Sequence, residues 1–172
     1  MKILFLGDVV GLSGCLKITE NLLFQVKKND IDFVIINGEN ADSSGAGLTQ
    51  EICENFFKSG VDVITTGNHV WDQKDIMNFI DKEKRLLRPK NLFEPAPGKG
   101  FEIYETKKNI RIGVLNLMGN VFMKKCDNVF DTSKKFLEKF ELKKDYDFLI
   151  VDFHGEITSE KNAVGHFFDG KA

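Results

Sequence analysis

The sequence predicts an α/β fold, with a parallel-rich sheet and a hairpin contribution. Short continuous apolar runs, "KILFLGD", "DFVIINGEN", "VDVITTGNH" and "DFLIVDFH", have the character of strands covered on both faces. Segments between them repeat apolar residues at helical spacing, so strand and helix alternate. One further stretch, "FEIYETKKNIRIGVLNL", has the pattern of a β-hairpin with Lys108-Asn109 near its turn.

Taken in order, "KILFLGD" is the first strand. Cys15, Ile18, Leu22 and Val26 then mark a helix from Gly14 to Lys28, closed by Asn29-Asp30. After the second strand, Thr49 is placed to cap a helix over "QEICENFFK", with Ile52 and Phe56 on one face and Gly60 as its stop. The third strand leads into a helix through "DQKDIMNFI", with Ile76, Phe79 and Ile80 inward. Pro89, Pro95, Pro97, Gly98 and Gly100 break the chain into a loop ahead of the hairpin. Asp131 is a candidate cap for "TSKKFLEKF", and Thr158 or Ser159 can start a last helix through "EKNAVGHFF", with Gly170 at its end.

With 172 residues the chain has the size of one domain, and 42% apolar with 29% charged residues is ordinary for a soluble protein. A net charge of −2 leaves no footprint for duplex nucleic acid or an anionic membrane. Short lysine runs such as Lys27-Lys28, Lys107-Lys108 and Lys143-Lys144 read as solvated faces. No apolar run is long enough to span a bilayer, and "ILFLGD" is too short for a signal peptide. Cys15, Cys53 and Cys126 are widely spaced, as expected of reduced thiols in a cytoplasmic protein.

In open α/β sheets, ligands bind beyond the carboxyl ends of the strands. Here those ends carry Asp8, Glu39-Asn40, Asn68-His69 and His154. Taken singly, each has a plainer reading: Asp8 as a cap or turn former, Asn40 and Asn68 as turn residues, each histidine as an ordinary hydrogen-bonded side chain. The repetition at all four ends favours a shared site. Clustered carboxylates repel each other unless a cation or proton relieves them, and Asp, Glu, Asn and His together suit Mn, Fe or Zn. His166 falls mid-helix beside Phe167 and Phe168, in a packing or surface role. "GDVVGLSG" is neither G-x-G-x-x-G nor a P-loop, and no G-x-S-x-G elbow occurs, which disfavours a serine hydrolase.

"GDVVG", "NGENA", "TGNHVWD" and "DFHGE" followed by "TSEK" stand in an order and spacing that resemble the YmdB-type branch of the calcineurin-like metallophosphoesterases. "LLRPKN" and "NLMGNVFM" add to the likeness, which runs essentially the length of the chain. The resemblance implies a two-sheet α/β sandwich flanked by helices and a centre of two divalent metals, Fe or Mn ahead of Zn or Mg. It also implies a phosphodiesterase acting by activated water on small phosphodiesters such as 2′,3′-cyclic nucleotides. Carried over by motif, Asp8, Glu39 and Asn40 hold one metal, Glu39 bridges to the second, and Asn68 and His154 also bind that second metal. His69 is then the acid that meets the substrate.

The family pattern also includes a Gly-x-His-x-His segment after the "TSEK" helix, and these 172 residues stop at "FFDGKA". The resemblance therefore implies a single, C-terminally incomplete metallophosphoesterase domain over residues 1–172, weakened or inactive as a fragment. The alternatives are a non-catalytic nucleotide- or protein-binding remnant, or a short enzyme completed by water or a neighbouring subunit in a homo-oligomer.

Overall fold

The computed structural model describes residues 1–93 and 95–172. In chain order the elements are β1 (Ile3–Leu6), α1 (Gly11–Asn29), β2 (Phe33–Asn37), α2 (Gln50–Lys58), β3 (Val63–Thr65), α3 (Ile76–Phe79), β4 (Phe101–Glu105), β5 (Arg111–Met118), α4 (Val129–Lys139), β6 (Phe148–His154) and α5 (Thr158–Phe168). β1, β2 and β3 form a parallel sheet in that order. β4, β5 and β6 form a second, with β4 antiparallel and β6 parallel to β5.

This is the two-sheet arrangement implied by the family resemblance, and it corrects the simpler expectation of one parallel-rich sheet. β6 looks like the first three strands in sequence, yet it pairs with β5 from Ile112↔Phe148 to Met118↔His154. The eight-residue β5 is buried along most of its length, and it offers one long edge to β6 and the other to β4.

Strand periodicity sorts the core into layers. Phe33 and Ile35 of β2 and Val63 of β3 meet Ile112 and Val114 of β5 between the sheets. On the outer face of the first sheet, Val34, Ile36 and Ile64 pack with Leu22 of α1 and Cys53 and Phe56 of α2. On the outer face of the second, Leu115 and Leu117 pack with Phe136 of α4 and Val164 and Phe168 of α5. Polar ties cross between the sheets where the strands end. The Asn37 amide donates to Asp152 Oδ2 at 2.9 Å, and Thr66 N–H donates to Asn116 Oδ1 at 3.0 Å.

Local signals explain most boundaries. The Thr49 hydroxyl accepts from Ile52 N–H and caps α2, and Gly60 follows that helix at φ +100°. Asp30 closes α1 in the left-handed region, and Asn109 takes the positive φ of the hairpin turn. α1 starts at Gly11 rather than Gly14, because the Val9 and Gly11 N–H groups are already held by the Asn37 and Asn40 carbonyls. α3 is a single turn rather than a helix through residues 72–80. Its predicted first turn is used elsewhere: the Gln73 amide donates to the Ala46 carbonyl, and Asp75 accepts from Gln50 N–H. Ile76 and Ile80 are buried as expected, while Phe79 is only partly so.

α4 corrects another expectation. Asn128, not Asp131, is its cap, accepting from the N–H groups of Phe130 and Asp131 at 2.9 and 3.1 Å. The helix begins earlier because Val129 is buried and its N–H is taken by Asn120 Oδ1. α5 begins at Thr158 without a side-chain cap, Gly170 follows it at φ +71°, and His166 lies on its exposed side. All three cysteines are free, and among the described residues no helix is long and apolar enough to cross a membrane.

Replacing a good N-cap by alanine typically costs about 1 kcal/mol. Asn128→Ala is expected to lower unfolding stability by about that much, and Asp131→Ala, which only removes charge from the first turn, by roughly half or less. Urea denaturation of the two variants measures the difference.

Candidate functional site

Four chain segments deliver the site. Asp8 lies two residues past β1 and is exposed. Beyond β2 the chain passes Gly38 to Glu39 and Asn40, and the Asn37 side chain accepts from Glu39 N–H at 3.1 Å. A bridge between Val10 and Asn40 brings the first two segments together. The Asn40 amide thereby reaches both oxygens of the Asp8 carboxylate, at 2.9 and 3.1 Å. β3 leads through Thr66 and Gly67 to Asn68 and His69, and β6 ends on His154. His154 Nε2 lies 3.0 Å from Asn68 Oδ1 and 3.1 Å from Glu39 Oε1.

Asp8, Glu39, Asn40, Asn68, His69 and His154 therefore line one cleft of about 330 Å³, with Phe122, Met123, Lys124 and Glu156 on its other side. A larger cleft, of about 610 Å³, lies against α4 among Phe101, Lys135 and Lys139, and none of the strand-end residues reaches it.

Glu39 dominates the electrostatics. It is 1% exposed, and its Oε2 is buried with no hydrogen-bond partner. The one other such side-chain atom among the described residues is the Tyr146 hydroxyl, in the core of the second sheet. A buried carboxylate oxygen left unpaired is costly, and a bound cation removes that cost. Gly67 makes the close packing feasible, since a Cβ there would overlap both the Glu39 carboxylate and the His154 ring.

Burial alone disfavours a charged His154, but Glu39, Asp152 and Asp8 outweigh it and hold the imidazole pKa above its ordinary value. Asp152 itself is pushed above the usual carboxylate range by burial, against the hydrogen bonds from Thr65 and Asn37. At the outer wall, His69 Nδ1 meets Asp72 Oδ2, and Lys124 Nζ lies 3.2 Å from Asp72 Oδ1. The bond from His69, reinforced by Lys124, lowers the Asp72 pKa. With Nδ1 engaged, Nε2 is the His69 nitrogen left for the cleft.

The donor set fits a divalent metal. Among the described residues no three Asp, Glu, His or Cys side chains meet as a ready-made cage. The oxygens of Asp8 and Glu39 and the imidazole of His154 are instead supplemented by the amides of Asn40 and Asn68. Such hard oxygen and nitrogen donors suit Mn, Fe, Zn or Mg.

Strand ends alone do not point to the residues that hold these in place. Asn37 and Asp152 each stand two positions before a site residue, Glu39 and His154, and period-2 alternation puts Asp152 and His154 on one face of β6. That spacing is a usable signal. Asp72, three residues after His69, is legible in the same way. Phe122 lies in the "NLMGNVFM" stretch that adds to the family likeness, but nothing in that stretch assigns it to the cleft, and no local pattern points to Lys124.

A family model described as "YmdB-like protein" matches residues 4–172. The chain belongs to that family. It is 42% identical over 172 residues to the 2′,3′-cyclic-nucleotide 2′-phosphodiesterase of Bacillus subtilis (strain 168), covering all of this chain and 64% of that protein. Among solved structures it is similar to a hypothetical protein from Thermus thermophilus, with a TM-score of 0.90 at 34% identity over 100% of this chain and 65% of that one. It is also similar to a novel phosphatase from Mycoplasma pneumoniae, with a TM-score of 0.87 at 39% identity over 99% of this chain and 60% of that one. The chain thus spans 60–64% of the length of the curated relatives it matches.

The raised pKa of His154 makes a signed prediction for the metal-free chain. The folded state binds this proton more tightly than the unfolded state, whose histidine pKa is about 6.5. The stabilisation is fully present below that value and is lost as pH rises through the folded pKa. In EDTA, the thermal midpoint of the wild-type chain is expected to fall on going from about pH 6 to pH 8, and His154→Gln should flatten that slope.

Proposed function

We propose that this chain carries the site of a metal-dependent phosphodiesterase acting on 2′,3′-cyclic nucleotides or similarly small phosphodiesters. The observation that carries the reading is Glu39, buried with its Oε2 unpartnered, among the residues that line one cleft with Asp8, Asn40, Asn68, His69 and His154. Supporting it is the activity for which the B. subtilis relative is named. A cleft of about 330 Å³ suits a small substrate better than a duplex, and the net charge of −2 offers no broad cationic face. A cytoplasmic setting accords with three free thiols.

In this reading Asp8, Glu39 and Asn40 hold one divalent ion, and Glu39, Asn68 and His154 the other, with Fe or Mn ahead of Zn or Mg. Ions held there would supply charge neutralisation for the diester and a more acidic water as nucleophile. The chain's own residues do the rest. Glu39 is fixed by its N–H bond to Asn37, which Asp152 anchors in turn. His69, with Nδ1 held by Asp72, presents Nε2 to the leaving oxygen and supplies its proton as the P–O ester bond breaks. The Asp72 carboxylate fixes the orientation of the ring, and Lys124 adds positive charge at the same wall.

The test is hydrolysis of 2′,3′-cyclic AMP by the 172-residue chain supplied with Mn²⁺. The expected result is turnover, however slow, that EDTA abolishes and that His69→Gln lowers by about 10²–10⁴-fold in kcat. Asp72→Asn is expected to reduce kcat while leaving Mn²⁺ affinity in place. Turnover that survives EDTA, or that is untouched by His69→Gln, contradicts the reading.

A further inference from the structure

Phe122 is the structure's most anomalous surface residue. The residue is 85% exposed, and its backbone sits at φ +59°. A lone exposed apolar side chain would need no explanation. A bulky aromatic residue held in the left-handed region does, because sterics disfavour it there and glycine or asparagine would take the place without strain. Conformations of this kind persist only where the surroundings over-determine them, and they cluster at ligand clamps.

The surroundings here do so. Glu160 of α5, itself 8% exposed, accepts from Asn120 N–H at 2.8 Å and from Val121 N–H at 3.3 Å. The Asn120 side chain accepts from Val129 N–H at 3.0 Å and so ties the loop to the start of α4. On the far side, Lys124 is paired with Asp72. The loop is pinned shortly before and after Phe122, and the ring it displays lines the same cleft as Glu39, His69 and His154. No aromatic or cationic side chain packs on that ring among the described residues.

We propose that Phe122 is a preformed platform on which the base of a bound nucleotide stacks while its phosphate lies among the strand-end residues. The inference rests on the phosphodiesterase reading and narrows its substrate to diesters that carry a nucleobase. Stacking uses the π-face common to all bases, so the platform favours nucleotides over simple phosphodiesters without selecting one base. The rest of the cleft lining is polar or charged apart from Met123, which leaves Phe122 as its one apolar aromatic surface.

The experiment is calorimetric titration of the Mn²⁺-supplied chain with adenosine 3′-monophosphate and, separately, with inorganic phosphate, on wild type, Phe122→Gly and Phe122→Tyr. Wild type is expected to bind the nucleotide more tightly than phosphate. Phe122→Gly should weaken the nucleotide by about 5- to 150-fold, the range seen when stacked aromatics are removed, and Phe122→Tyr should restore it. Because glycine relaxes the positive φ, the thermal midpoint of Phe122→Gly should hold or rise, which separates a lost platform from a damaged fold. A nucleotide preference that survives in Phe122→Gly, or a falling midpoint with both ligands weakened equally, overturns the proposal. If wild type binds neither ligand, the phosphodiesterase reading fails and this inference goes with it. If it binds phosphate with no advantage for the nucleotide, only the platform fails.

Discussion

Everything at this site depends on one buried carboxylate. Glu39 leaves the first sheet at the end of β2 and meets His154 from the end of β6 in the second, so it stands where the two sheets converge. Enclosing a carboxyl group this deeply is costly wherever one of its oxygens is left without a partner. Oε1 has the His154 imidazole and Oε2 has none. Packing of the sandwich thus leaves one carboxylate oxygen enclosed without a partner, and the proposed cation would answer that cost.

The polar links around it make sense in that light. Asn37 receives Glu39 N–H on its oxygen and donates its amide to Asp152, so a single side chain sets Glu39 and bridges the sheets. Thr66 and Asn116 make a second crossing nearby. Gly67 has no side chain to obstruct the backbone where it passes Glu39 and His154. Apolar packing deeper between the sheets, through Ile35, Val63, Ile112 and Val114, supplies a rigid base from which those polar groups project.

Much of this was legible in the sequence because burial leaves a strong mark. Continuous apolar runs located the strands, and a polar residue at the end of each marked the cleft where the structure gathers Asp8, Glu39, Asn40, Asn68, His69 and His154. Strand partners were less legible. β6 resembles β1 to β3 in composition, and only the length and burial of β5 explain its place in the other sheet. Helix limits failed where side chains had tertiary work. Gln73 and Asp75 reach toward the loop before α2, which reduces α3 to one turn, and buried Val129 draws the start of α4 back to Asn128. Phe122 stood in a stretch that the family likeness marked, but its place at the cleft was not legible, since it depends on a loop pinned by Glu160, distant in sequence.

Whether the unpartnered oxygen of Glu39 is a metal ligand decides the chemistry of the whole cleft. The direct measurement is an anomalous difference map from crystals of this chain grown with MnCl₂. The predicted result is a peak at bonding distance from Glu39 Oε2, shared with Asn68 and His154 or with Asp8 and Asn40. A map without a peak there, in which Oε2 is met only by water or another protein group, would contradict the central claim.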